Sequence, residues 1–154
     1  MTLLLVRHAD AGDRAAWTGD DRARPLSAAG RAQAEALPQL LHDQPIERIL
    51  SSPARRCLDT VQPLADSRDL LVEDEEALAE ATPYDVVDRL LTRAAKKNAL
   101  LCTHGDVMGA VITTLRRRGA LAGVEASWRK GATWVLDSWP DTARAVLLPA
   151  PDAS

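Results

Sequence analysis

Thr2-Leu3-Leu4-Leu5-Val6-Arg7-His8 opens the chain with a short apolar run that stops at two cationic or titratable residues. The run is too short for a signal peptide, which needs a longer apolar stretch and a cleavage site, so it reads as a buried strand. The same habit recurs in Ile46 to Ser51, Leu70 to Glu73 and Ala99 to Thr103. Longer helical patterns lie between these runs. Ser27 caps a helix predicted over Ala28 to His42, where Ala32, Ala36, Leu37, Leu40 and Leu41 return at near-helical spacing and Pro38 kinks or shortens it. Further helices are predicted from Ala54 to Ala65, from Pro83 to Ala95, and from Asp106 to Arg118 before Gly119. Strand runs alternating with helices predict an α/β domain, a three-layer sandwich whose mainly parallel central sheet is flanked by helices. Ala132 to Asp137 and Ala143 to Leu148 flank the turn-like Ser138-Trp139-Pro140-Asp141 and read as a final strand pair. Ala9 to Pro25 is the longest irregular stretch, a length that in small domains belongs to functional or mobile loops.

The 154 residues suit one domain, read over residues 1–148, with 149–154 as a frayed tail. Apolar residues make up 46% and charged residues 27%, the balance of an ordinary soluble globular chain rather than a disordered or membrane-spanning one. With no Phe, one Tyr and four Trp, the core must be aliphatic, and little surface is left for stacking nucleic-acid bases. A net charge of -3 exerts no overall pull on a nucleic acid polymer or an anionic membrane, so neither is an expected partner and any phosphate site must be local. Cys57 and Cys102 form no Cys-x-x-Cys pair and no disulfide framework, which leaves a cytoplasmic address as the default.

Two of the three histidines stand at the downstream end of an apolar run, where ligands bind in an α/β sheet: His8 after Leu4-Leu5-Val6-Arg7, and His104 after Leu100-Leu101-Cys102-Thr103. His42 sits at a polar helix end and reads as a surface residue. Strict alternation points Arg7 and His8 to opposite faces, so they share a site only if the strand stops or twists there. Taken alone, His8 has two readings, a reactive group or a strand-end histidine with a local hydrogen bond. A third strand end carries Ser51-Ser52-Pro53-Ala54-Arg55-Arg56, where a helix N-terminus and the planar fork of Arg56 suit an anion. Capping by Ser52 with solvated arginines is the alternative.

Taken together, Arg7-His8-Ala9, Leu26-Ser27-Ala28-Ala29-Gly30-Arg31, Ser51-Ser52-Pro53-Ala54-Arg55-Arg56 and Thr103-His104-Gly105 resemble the histidine phosphatase superfamily in order and spacing. The resemblance spans roughly residues 3 to 110 and implies a phosphoglycerate mutase-like fold and a hydrolase that needs no cofactor and no metal. It implies His8 as the nucleophile, forming a phosphohistidine intermediate, and Arg7, Arg56 and His104 as ligands of the transferred phosphoryl group. Fixed cationic donors stabilise the charge on its oxygens, and the two arginines are expected to depress the His8 pKa and keep its imidazole neutral. Glu80, in Ala77-Leu78-Ala79-Glu80, matches the family's Leu-x-Glu and is the candidate general acid, with Asp10 and Asp106 as alternatives.

Four residues are expected to shape the substrate site. Arg14 would meet a second phosphate and Trp17 would stack on a base, both from the loop after the first strand. Ser27, with Gly30, forms a helix entry, and Gly105 permits a tight turn after His104. The short chain leaves little room for a lid and is similar to the compact branch, which includes phosphohistidine phosphatases and the phosphatase domain fused to nudix hydrolases. The expected substrate is therefore a small phosphorylated molecule such as a nucleoside diphosphate, or alternatively a phosphohistidine protein. A catalytically inactive phosphate- or protein-binding module of the same fold is the reading from another class.

Overall fold

The computed structural model describes residues 1–121, 123, 125–139, 144–148, 150 and 151. Among them, six strands join in one sheet in the order β3-β2-β4-β1-β5-β6. The strands are β1 (Thr2–Arg7), β2 (Arg48–Ser51), β3 (Val72–Asp74), β4 (Ala99–Thr103), β5 (Thr133–Asp137) and β6 (Arg144–Leu148). The helices are α1 (Ala28–Leu40), α2 (Arg55–Arg68), α3 (Tyr84–Ala94) and α4 (Gly105–Arg117). β3, β2, β4 and β1 are parallel neighbours, whereas β5 runs antiparallel to β1 and β6 antiparallel to β5. The expected α/β sandwich and the terminal strand pair are both present. Pro140 and Asp141 of the expected turn, and residues 149 and 152–154 of the expected frayed tail, lie outside the described residues.

β1 explains the layering. Leu3 and Leu5 pack with Val87, Leu90, Val111 and Leu115 of α3 and α4, while Leu4 and Val6 pack with Leu37, Val61 and Leu64 of α1 and α2. A strand covered on both faces has no polar side to show, which is why its sequence is a continuous apolar run rather than an alternating one. Full burial of one such leucine stabilises the fold by about 1.5–3 kcal/mol. Trp134 of β5, also fully buried, donates its indole N–H to the Ser127 carbonyl at 2.6 Å.

Element boundaries moved where local chemistry competed with periodicity. α1 stops at Leu40 with Pro38 in its last turn, two residues short of the expected end. α2 runs three residues past Ala65 despite Pro63, and ends at Asp69 in the left-handed conformation (φ 55°). Its inner face of Val61, Leu64 and Ala65 is buried, so packing outweighs the proline's missing donor. The irregular stretch after β1 contains two short 3-10 turns, Arg14–Ala16 and Asp21–Ala23, each capped by the aspartate before it.

Candidate active site

The C-terminal ends of the parallel strands β1 and β4 face one cavity of about 1210 Å³. β1 ends at Arg7, and the His8 N–H donates to the Thr103 carbonyl at 3.1 Å, so the chain leaves the sheet between the two residues. Arg7 continues the Leu3–Leu5 face toward α4, and its side chain lies against Gly105. His8 continues the Leu4–Val6 face, and both residues line the cavity. The condition for Arg7 and His8 to share a site is thus met by where the strand stops.

His8 is 5% exposed, and its Nδ1 lies 2.8 Å from the Ala9 carbonyl oxygen. A carbonyl only accepts, so Nδ1 carries the proton and Nε2 keeps its lone pair. Burial chiefly, then the nearby His104, Arg56 and Arg7, push the His8 pKa down to about 3, against the Ala9 hydrogen bond, which favours the proton. The arginines were expected to be the main cause; desolvation is larger because the ring is almost wholly covered. The loop is pinned beneath by Thr60, whose hydroxyl accepts the Ala9 N–H at 2.9 Å and donates to the Arg56 carbonyl at 2.6 Å.

The His104 ring stands edge-on to His8, with centroids 5.4 Å apart and planes at 66°. Its Nε2 is 2.8 Å from Ser52 Oγ, and its Nδ1 is 3.3 Å from Glu80 Oε1. Nδ1–H directed to the carboxylate fits with the Ser52 hydroxyl donating to Nε2 while accepting the Ala54 N–H at 3.3 Å, and Arg56 Nη2 lies a longer 3.4 Å from Nδ1. Ser52 therefore serves the histidine, rather than only capping α2. The expected tight turn at Gly105 is corrected by a steric reason: a methyl there would sit 2.7 Å from Arg7 Cζ, so glycine makes room for the guanidinium. Arg7 Nη1 donates to the Trp128 carbonyl at 2.9 Å, and its buried Nε has no partner among the described residues.

Arg56, in the first turn of α2, is 1% exposed and does not line the cavity. Glu80 stands in front of it. Glu80 Oε1 receives Arg56 Nη2 at 2.7 Å and Arg14 Nη2 at 2.5 Å, besides facing His104. Burial works to raise the Glu80 carboxyl pKa, but the hydrogen bond and charge of Arg14, with His104 and Arg56, outweigh it and hold it below the ordinary value. The backbone after Glu80 is fixed by Ala81 in the left-handed region (φ 64°), whose N–H donates to Asp106 Oδ2 at 2.7 Å.

Among the sequence candidates, Arg7, His8, Glu80, His104, Arg14 and Gly105 line the cavity, and Arg56 lies directly behind Glu80. Trp17 and Ser27 do not line it. Trp17 is 37% exposed and spends its indole N–H on the Asp20 carbonyl, so the aromatic walls are Tyr84 and Trp128 instead. Ser27 caps α1 through the Gly30 N–H at 3.0 Å and donates to Asp10 Oδ2 at 2.6 Å. Asp10, held by that contact and by Lys130 at 3.3 Å from Oδ1, does not line the cavity, whereas Asp106, the other alternative, lines it together with Asp13. Gly30 is required by close approach, since a methyl there would meet the Asp10 carbonyl at 1.8 Å. No described cluster of three or more His, Cys, Asp or Glu is placed to hold a metal ion.

Asp21 was not singled out from sequence. Its carbonyl accepts Arg56 Nη1 at 2.8 Å, its Oδ2 lies 3.0 Å from Arg56 Nη2, and its Oδ1 lies 3.0 Å from Arg24 Nε and 3.4 Å from Arg14 Nε. Arg24 in turn is 6% exposed and bonds the Ala11 carbonyl at 2.6 Å. The readable signal was an acidic residue in an arginine-rich loop, yet its partners are distant in sequence.

Comparison with known proteins agrees with this fold. Residues 3–83 match the family model described as histidine phosphatase superfamily (branch 1). A protein named 8-oxo-(d)GTP phosphatase from Mycolicibacterium smegmatis is 37% identical over 140 residues, covering 88% of this chain and 44% of that protein. The chain thus spans less than half the length of that relative. Among solved structures, a candidate phosphohistidine phosphatase SixA from Agrobacterium tumefaciens superposes with a TM-score of 0.80 at 25% identity, covering 96% of this chain and 97% of the other. A protein histidine phosphatase SixA complexed with tungstate gives 0.76 at 19% identity, over 99% and 97%, and shows likeness of fold. No described helix is long and apolar enough to cross a membrane. Because the family model covers just over half of the residues and the curated relative aligns along most of the rest, the chain belongs to the histidine phosphatase superfamily.

Proposed function

We propose that this protein is a metal-independent phosphatase that passes the phosphoryl group of a small phosphorylated substrate through His8. The observation that carries the reading is the Nδ1–H bond from His8 to the Ala9 carbonyl, which leaves an unprotonated Nε2 beside His104, Arg7 and the Glu80–Arg56 pair. The Nε2 lone pair attacks phosphorus in line, and the bond to the leaving oxygen breaks as that oxygen takes a proton from Glu80. Water then attacks the phosphohistidine while the Glu80 carboxylate takes its proton, the N–P bond breaks, and inorganic phosphate leaves with His8 restored. Arg7, Arg56 and His104 Nδ1–H donate to the three equatorial oxygens. Donors fixed in advance in this way are worth about 10²–10³ in rate apiece.

A nucleoside diphosphate is the favoured substrate. The cavity runs from His8 along α4 as far as Arg117, about 18 Å at 1.5 Å per residue, far more than a phosphate needs. The Trp128 ring packs against this helix at Gly109, and Tyr84 lines the same cavity, so aromatic side chains are available there to a base. The relative named for 8-oxo-(d)GTP supports a nucleotide as the substrate class. Residues 1–148 act as one catalytic domain in this reading. The second reading, a phosphohistidine protein, is favoured by the likeness to a candidate phosphohistidine phosphatase over nearly the whole length of both chains. A cytoplasmic setting belongs to the same reading, since Cys57 and Cys102 are free thiols, one of them 3.6 Å from His104 Nε2.

The test is a panel of nucleoside diphosphates, sugar phosphates and a phosphohistidine protein, run with chelator on wild type and His8→Ala. Expected are chelator-resistant turnover, its near-complete loss in His8→Ala, and the highest kcat/KM on a nucleoside diphosphate. Turnover by His8→Ala equal to wild type would sink the mechanism. Preference for the phosphoprotein would transfer the substrate assignment to the second reading.

A further inference from the structure

In the resting site a carboxylate oxygen holds the position that the chemistry requires for a phosphoryl oxygen. Glu80 Oε1 collects Arg56 Nη2 at 2.7 Å, Arg14 Nη2 at 2.5 Å and His104 Nδ1 at 3.3 Å, two guanidinium donors and an imidazole donor converging on one oxygen. Arg56, 1% exposed, is screened from the cavity by this carboxylate, and Glu80, about one-third exposed, forms the wall in its place. Among the described residues the buried Nε groups of both Arg7 and Arg56 meanwhile have no acceptor. A substrate phosphoryl group therefore reaches Arg56 only when Glu80 leaves.

We propose that Glu80 is a displaceable internal anion, ejected from the Arg56–Arg14–His104 pocket by the incoming phosphoryl group and protonated as it is ejected, so that substrate binding itself loads the acid used in the next step. This inference rests on the phosphoryl site assigned above. Its physical basis is that a carboxylate and a phosphoryl dianion compete for the same donors. Once displaced, Glu80 loses three stabilising partners and gains a negative neighbour, and both changes favour its protonated form. One proton moves from solvent to Glu80 Oε on binding, and the same proton later goes to the leaving oxygen. The motion is confined to the side chain, because Ala81 and Asp106 hold the backbone next to it.

The charged groups around Glu80 come from every neighbouring element. Arg14 and Asp21 approach from the two 3-10 turns, Arg56 from α2, His104 and Asp106 from the start of α4, and Arg7 from the end of β1. Asp21 lies 3.0 Å from Arg56 Nη2 and 3.4 Å from Arg14 Nε, so both guanidinium groups keep an anchor after the carboxylate departs. The donors stay in place for the substrate.

The test uses tungstate, a phosphate-like dianion at neutral pH, titrated calorimetrically into the whole chain in buffers of different ionisation enthalpy between pH 6.5 and 8. Wild type is expected to take up close to one proton per tungstate, with affinity falling up to about tenfold per pH unit as pH rises. Glu80→Gln is expected to take up none, to bind with pH-independent affinity, and to bind about tenfold or more tightly than wild type at pH 7.5. Uptake that persists in Glu80→Gln places the proton on a histidine and overturns the proposal, as does equal or weaker tungstate binding by the variant. Infrared difference spectra of wild type alone give a check that needs no variant: tungstate should convert one carboxylate to a carboxylic acid, and an unchanged carboxylate band refutes the idea. Tungstate bound by neither protein would sink the phosphoryl site as well, whereas binding without proton uptake sinks only this inference.

Discussion

Ser52→Ala isolates one contact whose cost follows from the structure. Ser52 is fully buried, and its hydroxyl is the partner of His104 Nε2 at 2.8 Å, on a ring itself only 3% exposed. Removing the hydroxyl leaves the imidazole nitrogen out of reach of bulk water, with the weak Cys57 Sγ contact at 3.6 Å in place of a full hydrogen bond. An orphaned buried polar atom costs about 1–3 kcal/mol. The Ala54 N–H, held at a longer 3.3 Å, adds little. For a chain of this length each kcal/mol moves Tm by about 2–4 °C, so a fall of roughly 2–12 °C is expected. His104 also loses what fixes its orientation toward the phosphoryl site, and kcat/KM on a nucleoside diphosphate should drop about 10- to 100-fold. The assay is a double-mutant cycle with His104→Ala, read by denaturant unfolding. In the His104→Ala background Ser52→Ala should cost markedly less, a coupling of about 0.5–3 kcal/mol. A Ser52→Ala protein as stable as wild type, or one whose cost is the same with and without His104, would refute the reasoning.

Gly105→Ala should fold yet lose about 10- to 100-fold in kcat/KM, because the new methyl would lie 2.7 Å from Arg7 Cζ and drive the guanidinium from its seat; circular dichroism with steady-state kinetics separates the two effects. Asp21→Asn should weaken tungstate binding about tenfold by loosening Arg56 and Arg14, and calorimetry showing unchanged affinity would remove Asp21 from the positioning role. The His8 pKa, about 3 in the fold against about 6.5 for a free imidazole, makes the unfolded chain bind more protons between those values. This histidine's contribution to stability is therefore complete above pH 6.5 and is lost as pH falls toward 3, by at most about 1.4 kcal/mol per pH unit. As pH falls from 7 to 4, the urea midpoint of wild type should drop relative to that of His8→Phe, and parallel curves would contradict the assigned neutral state.

β1 and β4 were legible because a strand sandwiched between two helical layers must be apolar on both faces, and a run of four or five such residues has few other homes. Leu5 and Leu101 point to one layer and Leu4 and Leu100 to the other, a division that the apolar run itself does not disclose. Boundaries near Pro38 and Pro63 were harder to place, because burial of the helix face competes with the proline's missing donor and the balance is set by neighbours. In the site, His8, Arg7, His104 and Gly105 were readable as residues that follow strands. The reason for Gly105 was not: its turn needs no glycine, but the Arg7 side chain does. Trp17 misled because an aromatic residue in a loop after the first strand has no direction in sequence; its indole bonds Asp20 and leaves the cavity to Tyr84 and Trp128.

By itself the sequence determined the alternation of strands and helices and the residue types brought to the strand ends, since both depend on local pattern: burial period, turn chemistry and a motif of neighbouring residues. Tertiary structure alone decided which nitrogen of His8 is free, that Asp21 anchors three arginines, and that Glu80 covers Arg56. Each of these depends on distances of a few ångströms between groups that are remote along the chain, such as residues 14, 56, 80 and 104 around one carboxylate oxygen. Hydrogen bonding and desolvation act over just such distances, so the protonation and accessibility of the site exist only once the chain has closed around it.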